Sequence, residues 1–455
     1  KPITVAWDAS GRMWTMTAYE YPVDANENKE QALALYARGG KDKVLVFDDP
    51  YGPGPHTPRV WAEGLAIPLG VLPEPDGKAA FVQHGTQIRR YEDKNGDGRA
   101  DGHEVILDGF GVQDSHLFPH QFEYMPGGWI TVAQGLFNYS KVRRPGGKPF
   151  AEGEAEITFN QCKLGRFKPD GSRFELLTAG PNNIWGLIVS RTGEWFLQEA
   201  NDIGIPVAEF IPGAHYSTGS REKLRPYAPR IPQSTRGAQM GGTGLSGLAL
   251  AEDGETPFAV GHEADYVFYL ANPITNRIQV VTSSRGEDGH LTYEKQEDFL
   301  VSTDKWFRPI AIHFGPDGCL YVVDWYNKII SHNEVPRTHP DRDKTRGRIW
   351  RIRHKDQVVT RPVDLTKVPG GEISKYFSDK NARVARMAWQ LAGSRGGDGS
   401  EKQLGEALGS PSQKMGALWS LEGRGKLDSK HLKSFLEGDS HSLLMVEALR
   451  RCRTC

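Results

Sequence analysis

No run of about 18 apolar residues occurs in the sequence, so no segment reads as a transmembrane helix. Cysteine is scarce: 455 residues hold four, at Cys162, Cys319, Cys452 and Cys455. So scattered a set makes no disulfide framework. Cys452 and Cys455 have C-x-x-C spacing, but no His follows for a c-type haem and no second pair completes a zinc knuckle. An excess of one charge is also missing. Lys and Arg number 56 and Asp and Glu 57, for a formal net charge of −1. Nothing global therefore favours nucleic acid or an anionic membrane as a partner. The first residue is Lys1 rather than Met, and Ile3 to Trp7 already reads as a strand. That pattern is expected after removal of a signal peptide, and so of a periplasmic or secreted protein.

What is plentiful is turn chemistry. The 52 Gly and 29 Pro, beside 11 Trp, 15 Tyr and 19 Phe, suit a turn-rich β-protein packed with aromatics. One phrase recurs: an apolar strand, a glycine turn, then a strand with an aromatic. It runs over Val5–Trp14, Gly70–Phe81, Phe122–Ile130, Gly186–Phe196, Gly247–Phe258 and Ile310–Tyr321. Its turn glycines are Gly11, Gly77, Gly127, Gly193, Gly254 and Gly318, roughly 50–66 residues apart. A second strand phrase follows many of them, at Val44–Phe47, Ile88–Tyr91, Leu164–Phe167, Ile278–Val281 and Ile349–Ile352. A hairpin, a loop and a further strand pair make a four-stranded blade. The repeats predict a mainly β chain with a six-bladed β-propeller over residues 1–355. A β-sandwich with insertions is the alternative, and it leaves the fixed period unexplained.

The period changes beyond a linker at 356–371. Val384, Met387, Ala388 and Leu391 recur at helical spacing, as do Ala417, Leu418 and Leu421. Glycine-rich breakers separate these stretches, which predicts short HEAT-like helical repeats over residues 372–455. So short a stack has a poor core of its own and is expected to dock on the propeller or to have lost its remaining repeats.

Between Asp93 and Glu104 the chain reads D-K-N-G-D-G-R-A-D-G-H-E. Asp93, Asn95, Asp97, the backbone carbonyl of Arg99, Asp101 and Glu104 take the oxygen-ligand positions of a calcium loop, with Gly98 at the sharp turn. The flanks, Gln87–Tyr91 and Val105–Leu107, read as strands rather than the helices of an EF-hand. A structural calcium between two strands is therefore expected; an Asx-rich turn that binds nothing is the alternative.

Three loops carry reactive side chains. Asp114-Ser-His-Leu-Phe-Pro-His120 places His116 and His120 beside an acid, as candidate general bases or as histidines that satisfy loop backbone. Tyr216 to Gly244 holds Arg221, Lys223, Arg225, Arg230 and Arg236, which suit an anionic or quinone-bearing ligand or merely a solvated loop. The third lies around the last repeat, with Arg308, Asp324, Tyr326, His332 and His339. There an Arg beside an Asp fits a substrate clamp or a structural ion pair.

Trp306-Phe-Arg-Pro309, Gly315–Tyr326 and Thr345–Arg351, with the acidic loop and the helical tail, resemble the "membrane-bound dehydrogenase" propellers of planctomycetes and verrucomicrobia. More distantly, the propeller resembles soluble glucose and sorbosone dehydrogenases, six-bladed enzymes that use pyrroloquinoline quinone with calcium. The resemblance implies oxidation of a carbohydrate hydroxyl or aldehyde, with a His taking the hydroxyl proton and cations gripping the quinone carboxylates. The expected catalytic set is His116, His120, Arg308, Asp324 and Tyr326; the expected quinone set is Arg236, Arg308 and His332. Longer relatives end in a haem-binding cytochrome domain, so a separate electron-accepting cytochrome is the expected partner here. Two other functions fit the same residues. One is a lyase or hydrolase on acidic polysaccharide, with His or Tyr as base and Arg against the carboxylate. The other is a non-catalytic propeller that binds a glycan or a protein.

Overall fold

In the computed structural model five of the six repeated phrases become the hairpin between the innermost and second strands of a blade, whereas Gly247–Phe258 supplies the innermost strand of blade 5 and ends before its second strand, Tyr266–Asn272. The structure describes residues 1–200, 207–211, 213–214, 216, 240, 243–252, 256–332, 335–395, 404, 409–437 and 442–451. Six antiparallel blade sheets follow one another along the chain, and a two-stranded sheet of Tyr139–Val142 and Ile157–Asn160 is inserted within blade 3. Their innermost strands are Pro2–Trp7, Val71–Pro73, Tyr124–Met125, Gly186–Val189, Ser246–Ala251 and Pro309–Phe314. Blades 1, 2 and 3 have four strands each in sequence order, and blades 4 and 6 have three described strands. The second repeated phrase is the third strand of its blade in every instance. The mainly β, six-bladed propeller is thus as expected.

The turn glycines are there for their backbone. Gly11, Gly77, Gly127, Gly193 and Gly318 all have φ between +68° and +89°, where other L residues are strained. Gly254 lies outside the described residues. Glycine also lets blades touch near the axis. A Cβ on Gly247 would sit 2.9 Å from the Ala311 Cα and the Ile312 N of the next blade, and one on Gly70 would strike the Phe122 ring. The core is correspondingly a ring of clusters between blades. Trp14, Met16, Trp61, Val71 and Val82, for example, lock blade 1 to blade 2. Blade 1 meets blade 6 through Trp7, whose ring lies 5.1 Å from that of Tyr321, edge on. Lys1 reinforces this junction, its Nζ donating to the carbonyls of Trp325 and Tyr326 at 2.8 Å.

Helices occupy the ends of the ring. Helix α1 (Lys29–Arg38), which periodicity did not flag, interrupts blade 1; Asn28 caps it, and it buries Ala32, Leu35 and Tyr36. After the last blade come α2 (Ala382–Ser394), α3 (Pro411–Gly423), α4 (Ser429–Glu437) and α5 (Ser442–Arg451). Met387, Trp389, Leu418 and Trp419 of α2 and α3 share one core with Val5, Trp7 and Tyr321 of the propeller. Arg386 of α2 reaches Glu252 at 3.1 Å, and the Arg383 guanidinium lies 5.4 Å over the Trp7 ring. The helical segment is therefore docked on the propeller. Among the described residues no helix is long and apolar enough to cross a membrane.

Candidate channel-mouth site

A cavity of about 510 Å³ opens along the axis, walled by innermost strands and by the loops that enter them. Its aromatic walls are Tyr21, Phe122, Trp185 and Trp325, and its titratable walls include His116, His120, His313, His332 and Glu123. Such a mixture, mainly apolar with a few convergent polar groups, is the usual chemistry of a small-molecule site.

Three blades build one cluster on this wall. In the loop before blade 3, Asp114 caps the short 3-10 turn Ser115–Leu117 by accepting from the His116 N–H at 2.9 Å. Asn138 clamps that turn, accepting from the Asp114 N–H at 3.0 Å and donating to the Leu117 carbonyl at 2.7 Å. From blade 1, Asp24 accepts from the Ser115 N–H at 2.6 Å, so two distant loops are stitched together. From blade 6, His332 arrives on a loop whose carbonyls at Ser331 and His332 are gripped by the Arg342 guanidinium at 3.1 and 2.7 Å. His332 Nε2 then lies 2.8 Å from Asp24 Oδ2 and 3.1 Å from Asp114 Oδ1, while Nδ1 lies 2.5 Å from the Tyr21 hydroxyl.

The surroundings set opposite charge preferences on neighbouring rings. Burial alone would lower the pKa of His332, but hydrogen bonds to Asp114 and Asp24 outweigh it and lift it to about 9. Burial dominates at His116 and pushes it down to about 4. The two rings are 5.3 Å apart. His116 also lies 5.0 Å from Trp185, and no described protein atom hydrogen-bonds its ring nitrogens. His120 differs. Its ring stacks on Trp185 at 4.4 Å, and both nitrogens lie against carbonyl oxygens, of Phe118 at 2.5 Å and Ile184 at 2.6 Å. His120 thus answers to the backbone-satisfying alternative, while His116 is left open to the cavity.

The other expected residues are placed elsewhere. Arg308 is 8% exposed and donates to the carbonyls of Pro273, Asn327 and Lys328 at 2.8, 3.0 and 3.2 Å. Asp324 is fully buried and accepts from the Arg308 and Tyr326 N–H groups, Arg348 and Trp350. The Tyr326 ring lies under the Arg348 guanidinium at 3.8 Å. None of these three side chains lines the cavity. They form a structural knot that shapes blade 6, in which the Arg308 guanidinium serves carbonyls and the ion-pair partner of Asp324 is Arg348 rather than Arg308. Arg236, like most of the Tyr216–Gly244 loop, lies outside the described residues. The acidic loop joins strands Gln87–Glu92 and Gly102–Asp108 of blade 2, as its flanks predicted.

Asp24, Tyr21, Trp185 and Trp325 escaped sequence reasoning. Asp24 follows Tyr21-Pro-Val in what reads as an ordinary turn, and nothing local marks it as facing a histidine 308 residues away.

The model of a domain of unknown function, DUF7133, matches residues 1–356, the span of the propeller. The chain belongs to this family. Among solved structures, this DUF7133 propeller is similar to a glucose-dehydrogenase-type oxidoreductase of Thermus thermophilus, at 18% identity and a TM-score of 0.48, covering 77% of this chain and 95% of that one. It is also similar to a glucose dehydrogenase at 16% identity and a TM-score of 0.44, covering 78% and 96% of the two chains. A third likeness is to the PQQ domain of the pyranose dehydrogenase from Coprinopsis cinerea, at 12% identity and a TM-score of 0.40, covering 70% and 89%. No curated protein matches the sequence.

The site can be tested against the implied cofactors. A quinone that bears carboxylates needs cations beside it. Among the described residues no Arg or Lys lines the cavity, and Arg308 is committed to carbonyls. The described wall does not fit that quinone. The acidic loop offers only oxygen donors, which fits calcium in kind. Here the loop caps itself: Asp93 accepts from the Gly96 and Gly98 N–H groups at 2.7 and 2.9 Å, and Asp101 from those of Lys94 and Asn95 at 2.7 and 3.2 Å.

Proposed function

We propose that this DUF7133 propeller is a dehydrogenase-like oxidoreductase that takes a neutral polyhydroxy small molecule, of the sugar-alcohol or aldose class, at the channel mouth. Oxidation of a hydroxyl group, or of an aldehyde as its hydrate, removes two electrons and two protons; the electrons pass to a separate cytochrome- or quinone-type acceptor, and the protons leave through His116 to solvent. The observation that carries the reading is His116. Of the four described histidines on the cavity wall, the other three are engaged: His120 by two carbonyls, His313 by Thr4, and His332 by Tyr21 and two carboxylates. His313 keeps one ring nitrogen without a partner, but only His116 among these four has neither ring nitrogen hydrogen-bonded, so the reacting group of the substrate meets the protein there. The flanking faces of Trp185 and Trp325 supply broad amphipathic walls. A neutral substrate follows from a described wall without Arg or Lys. The oxidative direction rests on the likeness of the closing-blade phrases to dehydrogenase propellers. Calcium, in this reading, staples the blade 2 hairpin at Asp93–Glu104 and has no part in the chemistry.

The elimination reading loses support, because Arg308 and Tyr326, on which it drew, stand away from the cavity. The experiment is turnover of the full chain on a panel of neutral sugars and polyols with an electron-accepting dye, with and without calcium and pyrroloquinoline quinone. Dye reduction that His116→Ala abolishes is expected. Unsaturated products without dye reduction would point to elimination instead. Saturable binding of a sugar with no product of any kind would make the propeller a binding module.

A further inference from the structure

We infer that Asp114, His116 and His332 form a binding site for one divalent transition-metal ion of the zinc class on the wall of the cavity. Each residue offers one ligand atom, and these atoms all lie within 4.8 Å of one another, an arrangement that no other described trio of His, Cys, Asp or Glu achieves. Ion–ligand distances of roughly 2.0–2.2 Å put neighbouring ligand atoms about 3–4 Å apart, within reach of small side-chain rotations here.

Four observations support an ion. First, the donors are two imidazoles and a carboxylate, the set used by catalytic zinc and by facial iron(II) sites and unsuited to calcium or magnesium. Second, two buried carboxylates converge on a single ring nitrogen: Asp24 Oδ2 at 2.8 Å and Asp114 Oδ1 at 3.1 Å from His332 Nε2, with side-chain exposures of 1% and 12%. One N–H cannot serve both at full strength, and a divalent ion in place of that proton would meet both carboxylates with more charge. Third, the outer support is already in place. Tyr21 holds His332 Nδ1, which leaves Nε2 to face the ion, and Asp24 is itself tied by Ser115. Fourth, His116 and His332 both line the cavity, so a bound ion keeps an open side towards it for water or a substrate oxygen. The functional meaning of the ion rests on the proposed oxidoreductase reading, but its binding does not.

The test uses the full chain stripped of metal, titrated with Co²⁺ by visible absorption and with Zn²⁺ by competition against a chromophoric chelator. One equivalent of Co²⁺ with ligand-field bands, displaced by Zn²⁺, is expected. His116→Ala should weaken binding at least about 100-fold while the chain still folds, because no described protein atom hydrogen-bonds that ring; His116→Gln, closer in volume, should weaken it likewise. Asp93→Asn, in the acidic loop, should leave the cobalt spectrum as it is. A folded wild-type chain without ligand-field bands overturns the site, as does wild-type affinity in His116→Ala. The metal readout is independent of turnover. Metal binding without dye reduction removes the oxidoreductase reading and supports this site; dye reduction by a chain that binds no metal does the reverse.

Discussion

Replacing Asp324 by Asn separates a catalytic carboxylate from a structural one. Asp324 is fully buried in blade 6. Its Oδ1 accepts from the N–H groups of Arg308 at 2.8 Å and Tyr326 at 2.9 Å. Its Oδ2 accepts from Arg348 Nε at 2.9 Å and Trp350 Nε1 at 3.2 Å. These contacts hold Tyr326 at φ +45°, a left-handed position rarely taken by a tyrosine. Asn preserves the shape and can keep the two backbone donors on its oxygen. Its amide then turns two hydrogens towards Arg348 and Trp350, which are also donors. A charge-assisted hydrogen bond contributes about 1.5–3 kcal/mol, and breaking a buried pair costs about 3–5 kcal/mol. The Arg348 side chain is 35% exposed and partly recovers its hydration, so a loss of about 2–4 kcal/mol is expected. Urea unfolding followed by tryptophan fluorescence should show a lower midpoint with an unchanged slope. Below the transition the variant should keep the ligand affinity and turnover of the wild type. An unchanged midpoint would refute the knot, and a stable variant without turnover would return Asp324 to the chemistry.

Gly247→Ala should destabilise by about 2–4 kcal/mol in thermal melts, since the residue has φ +86° and its Cβ would meet the backbone of the next blade. A melt matching the wild type would show that the blades can part there. Calcium at about 100 times its dissociation constant should add about 2.7 kcal/mol over chelated protein, an increment that Asp93→Asn removes; equal melting with calcium and with chelator would make the loop a plain turn. Burial holds His84 down to about 4 while its Nε2 donates to the Tyr36 carbonyl at 2.8 Å. The unfolded chain takes up that proton near pH 6.5, so it binds more protons than the folded chain between about pH 6.5 and 4. Stability should therefore fall as pH drops through that window, and His84→Asn should flatten the slope of denaturant midpoint against pH; an identical slope in the variant would assign the loss to other groups. Arg386→Ala should cost about 3–5 kcal/mol by leaving the buried Glu252 carboxylate without its ion-pair partner, held among the described residues only by the Arg191 N–H, and should loosen α2 from blades 4 and 5 first, as read by hydrogen exchange; exchange like that of the wild type would show that the pair does not hold the helix.

The parts of the site that were legible are those where chemistry clusters along the chain. Asp114, His116 and His120 fall within seven residues and drew notice for that reason. Which of the two histidines is open to the cavity was not legible. It depends on the Ile184 carbonyl, which approaches His120 from 64 residues away. Arg308 and Asp324 were legible as a pair, and composition cannot tell a clamp from a knot; only the carbonyls around the guanidinium decide that. Asp24 and Tyr21 were invisible, because their side-chain partners, Ser115, Trp325 and His332, all lie far along the chain.

By itself the sequence determined the blade. Glycine at a positive φ, flanked by apolar alternation, makes a hairpin whatever surrounds it, and repeating that unit six times makes a ring. These are local preferences, carried by a few consecutive residues. The tertiary structure alone decided the cavity. Curling six hairpins about one axis brings the loops of blades 1, 3 and 6 to a common wall, and there a carboxylate, two imidazoles and an aromatic face meet from segments up to 308 residues apart. Chain separation carries no record of that proximity, because the closure of the ring, rather than any local propensity, creates it.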